Sequence, residues 1–399
     1  MTPAWMSSIM SQTSKKEILL KMRDRYRGRG REGRSRLIDE LCEMCGYERK
    51  HAIKLLNGKL PITGEARRRG GPRKRYGEPE KEVLKKIWLT AEQPCGKRLK
   101  AAVALWLPHY ETECGEVDSG LRGRLLKLSA ATIDRLLAPV RVAQGNRGRC
   151  GTRPGTLLRK DIAVRTDHWD VAGPGWLEAD TVAHCGGSMD GDFCWSLTVT
   201  DVHTQWTETR ATWNKGQHAV RERVADVEAK LAFPILSFDT DNGGEFLNWH
   251  LRDYFLKRPK PVEFTRSRPY HKNDNARVEQ KNWTHVRQLV GYGRLDDPAQ
   301  AELLNDLYAK EWGQFRNFYC PAMKHLRTEV EGSRKKRVYD KPLTPFERLK
   351  ACPGVDPKQI TRLEKLKATL NPFKLKRSIE KKLRRIHLLG RRIALEEAA

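Results

Sequence analysis

No run of about eighteen consecutive apolar residues occurs anywhere in the sequence, which excludes a membrane-spanning helix of ordinary length. The opening MTPAWMSSIMSQTSKKE lacks the unbroken apolar segment of a secretory signal, so a soluble chain that is not exported is expected. Cysteine is sparse: nine in 399 residues, scattered singly and odd in number. That pattern excludes a disulfide scaffold and suits a reducing cytosol. No repeat of fixed period is present, which excludes a solenoid. Acidic charge is also short, with 50 Asp and Glu against 77 Lys and Arg. The resulting formal charge of +27 exceeds what solubility needs and implies a polyanionic partner.

What is there falls into blocks, and the length suits two or three domains at about 150 residues each. From Lys15 to Lys59 the spacing is helical, with Leu37, Leu41 and Cys45 on one face, a break at Gly46, and Ala52, Ile53 and Leu56 inward afterwards. A helix-turn-helix and an ordinary helical hairpin both fit this region, residues 1–63. Residues 64–79 form a basic linker rich in Gly, Pro and Arg, whose Arg73 and Lys74 are candidates for DNA phosphate contact. A second helical block spans 80–140. Near its end Ser129 can cap a helix that turns Ile133, Leu136 and Leu137 inward and Thr132 and Arg135 outward, the better candidate for a recognition helix. Another basic linker covers 141–169.

After that linker the period becomes strand-like. Strands are expected at Trp176–Ala183, Phe193–His203, Trp206–Thr212, Pro234–Phe238 and Pro261–Thr265, with helices at Gln217–Leu231, Glu245–Leu256 and Asn275–Val290. Three strands in a meander followed by alternating helices and strands predict a mixed-sheet α/β domain over 170–295. Residues 296–399 read as a helical, basic carboxyl-terminal region that adds phosphate contacts or is simply solvated.

Carboxylates stand out at three places. Spacing puts Glu279 in a stripe with Ala276, Trp283, Val286 and Val290, an apolar setting in which an ionised carboxylate needs a partner. The run ILSFDTDNGGEF ends a strand abruptly in Asp239 and Asp241, at the sheet edge where ligands of open α/β folds bind, although D-N-G-G alone is an excellent turn. Asp180 closes the first strand on the same face as Trp176 and Glu178. Hard divalent cations take oxygen ligands of this kind, and two of them serve phosphodiester chemistry.

The runs LEADTV, TDNGGEF and SRPYHKNDNARVEQKN resemble the catalytic core shared by retroviral integrases and the integrase-like transposases of bacterial insertion sequences. Sixty residues separate Asp180 from Asp241, and 37 separate Asp241 from Glu279, close to that family's D, D, E arrangement. The resemblance covers about residues 170–295. It implies an RNase H-like fold, and a catalytic and metal-binding set of Asp180, Asp241 and Glu279, with Glu178 and Asp239 as neighbours. It also implies two Mg²⁺ or Mn²⁺ ions, hydrolysis at an element end, and attack of the freed 3′-hydroxyl on target DNA. The partners it implies are double-stranded DNA, both terminal inverted repeats and target, and further copies of the chain assembled on that DNA. Its implied location is a bacterial cytoplasm, at the nucleoid.

Lys272, Arg277 and Lys281, around the catalytic helix, are candidates to guide DNA phosphates, against a background of abundant surface charge. The single C-x-x-C of Cys42 and Cys45 has no second pair, so structural zinc is not expected. Two other readings stay open: an RNase H-like nuclease or resolvase that only hydrolyses, and a non-catalytic DNA-binding regulator that keeps a transposase fold.

Overall fold

The computed structural model describes residues 11–58, 76–143, 171–240, 244–246, 248–266, 276–332 and 334–396. The chain divides into two compact units, Met1–Arg75 and Tyr76–Ala399. The first holds α1 (Gln12–Arg27), α2 (Arg31–Cys45) and α3 (Arg49–Leu56). Leu19, Met22, Leu37, Leu41, Cys45, Ala52 and Leu56 close a small core between them. Gly46 stops α2 because it takes the left-handed conformation, φ 67°, while its N–H donates to the Cys42 carbonyl at 2.9 Å. Ile53, expected inward, is only half-buried, and Leu55 takes the inner position.

The second unit opens with α4 (Glu78–Thr90), α5 (Gly96–Cys114), α6 (Ser119–Lys127) and α7 (Ala130–Ala143). Ser129 caps α7 as its spacing predicts, accepting the Thr132 N–H at 3.1 Å, and Ile133 and Leu137 are fully buried. These helices share one core with the sheet and the later helices: the buried Trp106 of α5 meets Phe315, Tyr319 and Phe373 edge-on.

The sheet comprises β1 (Trp176–Ala183), β2 (Cys194–Asp201), β3 (Thr207–Trp213), β4 (Ser237–Thr240) and β5 (Glu263–Arg266), in the order β3-β2-β1-β4-β5. The first three strands run antiparallel, while β4 and β5 run parallel to β1. This is the mixed α/β core that the strand pattern predicts. Strand β4 starts later than expected because Pro234 has no N–H and the Gly175 carbonyl takes the Leu236 and Ser237 N–H groups. Gly175 sits at φ 116°, and a Cβ there would lie 2.7 Å from the Pro234 carbonyl oxygen.

Helices α8 (Gln217–Lys230) and α9 (Trp249–Leu256) lie in the crossovers to β4 and β5. Asn248 caps α9 by accepting the Leu251 N–H at 3.0 Å, so this helix begins later than the expected Glu245. After β5 come α10 (Ala276–Lys281), a π-helical turn (Asn282–Arg287), α11 (Gln288–Val290), α12 (Pro298–Leu307), a second π-helical turn (Tyr308–Trp312) and α13 (Gly313–Tyr319). A hairpin of β6 (His325–Glu331) and β7 (Arg334–Tyr339), unforeseen in a region read as helical, precedes α14 (Pro345–Lys350), α15 (Pro357–Thr369) and α16 (Pro372–Glu396). No helix among the described residues is long and apolar enough to cross a membrane.

The outer strand β3 would present unpaired backbone groups at the sheet edge. Two asparagines cover them. Asn305 of α12 accepts the Ala211 N–H at 2.7 Å and donates to its carbonyl at 2.8 Å, and Asn317 of α13 does the same for Thr207 at 3.1 and 2.9 Å. Asn317→Ala should therefore strand two buried backbone groups and cost on the order of 3 kcal/mol, read from the urea unfolding midpoint.

His184, just past β1, is fully buried and bonds Ser196 Oγ at 2.8 Å, which in turn bonds the Tyr308 hydroxyl. Burial, with a smaller push from Arg287, lowers its pKa from 6.5 to about 3. The neutral ring's contribution is present above pH 6.5 and lost as pH falls towards 3. Between pH 6.5 and pH 5 this residue should remove about 2 kcal/mol of stability, and His184→Gln should flatten that part of the profile.

Candidate active site

Asp180 does not close β1 as expected but lies in its middle, opposite Thr198 of β2 and half-buried, because the strand goes on pairing with β2 to Ala183. Its two oxygens are held from different directions. Oδ1 accepts the Thr181 N–H at 2.7 Å and Oδ2 accepts the Asn282 amide at 2.6 Å. Asn282 begins the π-helical turn that continues α10, the helix carrying Glu279. A single side-chain bond thus ties the strand of one candidate carboxylate to the helix of another.

A second tie lies two residues earlier. Glu178 is buried on β1, on the Asp180 side by strand alternation, and accepts the Val278 N–H at 3.1 Å with Arg277 at 3.5 Å. Burial raises its carboxyl from 4.5 to about 7, opposed by the Arg277 guanidinium and the Val278 N–H. Asp239, its ladder partner on β4, adds a further upward push. Arg277 is itself buried.

A third tie reaches the loop after β4. The Thr181 hydroxyl donates to Glu245 Oε1 at 3.1 Å, and Lys215 Nζ lies 2.5 Å from that same oxygen. Glu245 is buried, so the stretch following the candidate Asp241 is fastened to the residue following Asp180. Asp241 itself, with Arg73, Lys74 and Lys272, lies outside the described residues. The described chain before it ends at Thr240, which pairs with Ala179. Asp239, the other carboxylate of that strand, accepts the Thr265 hydroxyl at 2.6 Å.

Glu279 does not lie on an apolar face. It is exposed, while Val278, Lys281, His285, Val286 and Val290 of the same segment are buried. The π-helical turn explains the difference, since an i→i+5 turn carries an extra residue and rotates the face that regular helical spacing would project. Trp283, expected in the stripe, is correspondingly exposed at 36%.

Lys281 points into the protein. Burial, and then the guanidiniums of Arg316, Arg98 and Arg348, lower its amine from 10.5 to about 7. The neighbouring His285 is held well below its usual range by the same burial and by Arg316, Lys281 and Arg98. On α7, Thr132 is half-buried and Arg135 exposed, and the two bond each other at 3.2 Å. Cys42 and Cys45 both lie on α2, and no group of three His, Cys, Asp or Glu side chains able to hold a metal occurs among the described residues.

Asn282 and Glu245 escaped the sequence reading. The one signal for Glu245 was its place next to the buried Phe246 in GGEF, and for Asn282 its position three residues after Glu279.

No family model matches the chain. It is 35% identical over 355 residues to "Uncharacterized protein y4rM" of Sinorhizobium fredii, covering 87% of this chain and 98% of that protein. Among solved structures, the crystal structure of the catalytic core domain of BIV integrase is similar at 12% identity and a TM-score of 0.23, over 30% of this chain and 70% of that one.

Removing the Glu178 carboxylate alone leaves Arg277 buried without it. Glu178→Ala should cost about 3 kcal/mol or more in urea unfolding, and the double variant Glu178→Leu, Arg277→Met should recover most of that loss.

Proposed function

The chain belongs to the same family as the Sinorhizobium fredii protein y4rM, and from the order and spacing of its carboxylates and the contacts around Asp180 we propose that it is a DNA transposase of the integrase type. Its proposed catalytic set is Asp180, Asp241 and Glu279. The observation that carries this reading is the 2.6 Å bond from Asn282 to Asp180, which couples the helix of Glu279 to the strand of Asp180. The β1–β4 ladder supports it: Ala179 pairs with Thr240, and the next residue in each strand's sequence is a carboxylate of the set.

The donor set suits Mg²⁺ or Mn²⁺. All three proposed ligands are hard carboxylates, and the buried Asn282 Oδ1, on the amide that holds Asp180, has no hydrogen-bond partner among the described residues. Two such ions, held by Asp180, Asp241 and Glu279, would supply positive charge to the attacking and leaving oxygens of a phosphodiester exchange. The protein's own groups prepare the geometry. Asn282 and the Thr181 N–H fix the Asp180 carboxylate plane, Glu178 and Arg277 pin the start of α10, and Glu245 anchors the loop after β4. The attacking group is water at an element end and then the freed 3′-hydroxyl, so no side chain becomes covalently attached to DNA.

Recognition of terminal inverted repeats falls to the helices of 1–63 and 80–140. Thr132 and Arg135 face a groove, and Arg73, Lys74 and Lys272 supply phosphate contacts. Arg277 and Lys281, buried under the catalytic helix, hold that helix in place. Handling two DNA ends together requires more than one copy of the chain.

Glu279→Gln should lower joining of precleaved 3′-hydroxyl ends to a second duplex by about 100-fold or more, with duplex affinity kept within about twofold. Retained joining removes Glu279 from the mechanism. A wild-type protein that cuts but cannot join is a nuclease or resolvase, and one that binds DNA but does neither is a regulator.

A further inference from the structure

Next to the loop after β4 lies a concavity that none of the proposed metal ligands among the described residues lines. Gln217 at the start of α8, Asn248 and Trp249 at the start of α9, Arg252 one turn later and Phe264 of β5 line an open groove of about 460 Å³. It borders the loop after β4, since Gln217 Nε2 lies 3.5 Å from the Gly244 carbonyl oxygen.

Its walls are firm. Phe264 packs against Phe255 at 5.5 Å and Phe238 at 6.4 Å between ring centroids. The helix starts are joined by the rings of His218 and His250, 4.0 Å apart. Asn248 is committed to the Leu251 N–H and the Glu245 carbonyl. Trp249 is different: 72% of it is exposed, and its ring is approached by the Arg252 guanidinium at 4.7 Å.

An indole mostly in water, with a guanidinium over its ring and an amide at the rim, has the chemistry that receives a nucleobase. The ring stacks on any base, the guanidinium meets the adjoining phosphate, and the Gln217 amide can reach the base edge. Bases inside a duplex are already stacked and cannot enter, so the occupant must be unpaired. We propose that this cavity receives one unpaired nucleotide of the DNA strand lying beside the scissile phosphate, its base on Trp249 and its phosphate at Arg252. The identity of that strand rests on the strand-transfer reading given above.

The full-length protein is titrated against fluorescein-labelled oligothymidine of about 15 nucleotides and against a duplex of equal length. Trp249→Ala should weaken single-strand binding about tenfold, and Trp249→Phe should stay within about threefold of wild type, since a ring remains to stack on. Duplex affinity should change less than about twofold in both. Should Trp249→Ala melt early, Trp249→Leu, which keeps bulk without the ring, takes its place with the same expectation. Unchanged single-strand affinity, equal losses in the Phe and Ala variants, or a parallel loss of duplex binding would each overturn the proposal. Wild-type joining of precleaved ends is measured alongside. Unchanged single-strand binding in a protein that joins ends overturns the cavity's role alone. The tenfold loss in a protein that joins nothing upholds the nucleotide site and overturns the strand-transfer reading.

Discussion

The seat of Glu178 beneath the first turn of α10 is the contact on which the rest of the site depends. A carboxylate buried this deeply pays a desolvation penalty, visible in its rise to about 7. In return it accepts the Val278 N–H and faces Arg277, which fastens the first turn of α10 to β1. From that anchor the next links follow without further adjustment. Asn282 arrives one turn on, beside Asp180, and Thr181 turns its hydroxyl towards Glu245 across the sheet. The residues that hold the site together are thus neighbours of the proposed catalytic groups, and their hydrogen bonds set position.

The charge of the chain divides in the same spirit. A net +27 suggests a surface covered with phosphate-seeking cations, yet part of that charge lies inside. Arg277 and Lys281 are buried with Arg316, and the Lys281 amine is lowered by that burial first and by the guanidiniums of Arg316, Arg98 and Arg348 second. Arg277, Val278 and Lys281 thus make the inner face of α10, and Glu279 lies on the outer one. On the opposite flank of the sheet, Asn305 and Asn317 cover the Ala211 and Thr207 backbone groups of β3 with neutral amides, and Arg210 takes the Thr209 carbonyl between them.

Much of this was legible before any coordinates. Strand β1 occupies its expected bounds, Trp176–Ala183, between a Gly-rich start and a turn. Strand β4 moved by a few residues for a reason written in Pro234 and Gly175, which matters only once the partner strand is known. The face of the Glu279 helix was misjudged because a π-helical turn leaves no mark on a 3.6-residue period. The β6–β7 hairpin was missed because Arg334 to Arg337 carries no alternation of apolar residues, so its pairing rests on backbone bonds and the Gly332 turn, φ 58°. Glu245 and Asn282 could not be found from spacing, since their partners lie far away in the chain.

The most direct test is an anomalous difference map from crystals of the full chain grown with Mn²⁺ and cut element-end DNA. The account requires manganese peaks bridged by Asp180 and shared with Asp241 and Glu279, with the Asn282 amide still on Asp180. Well-ordered carboxylates on β1 and α10 with no common metal peak between them would contradict it.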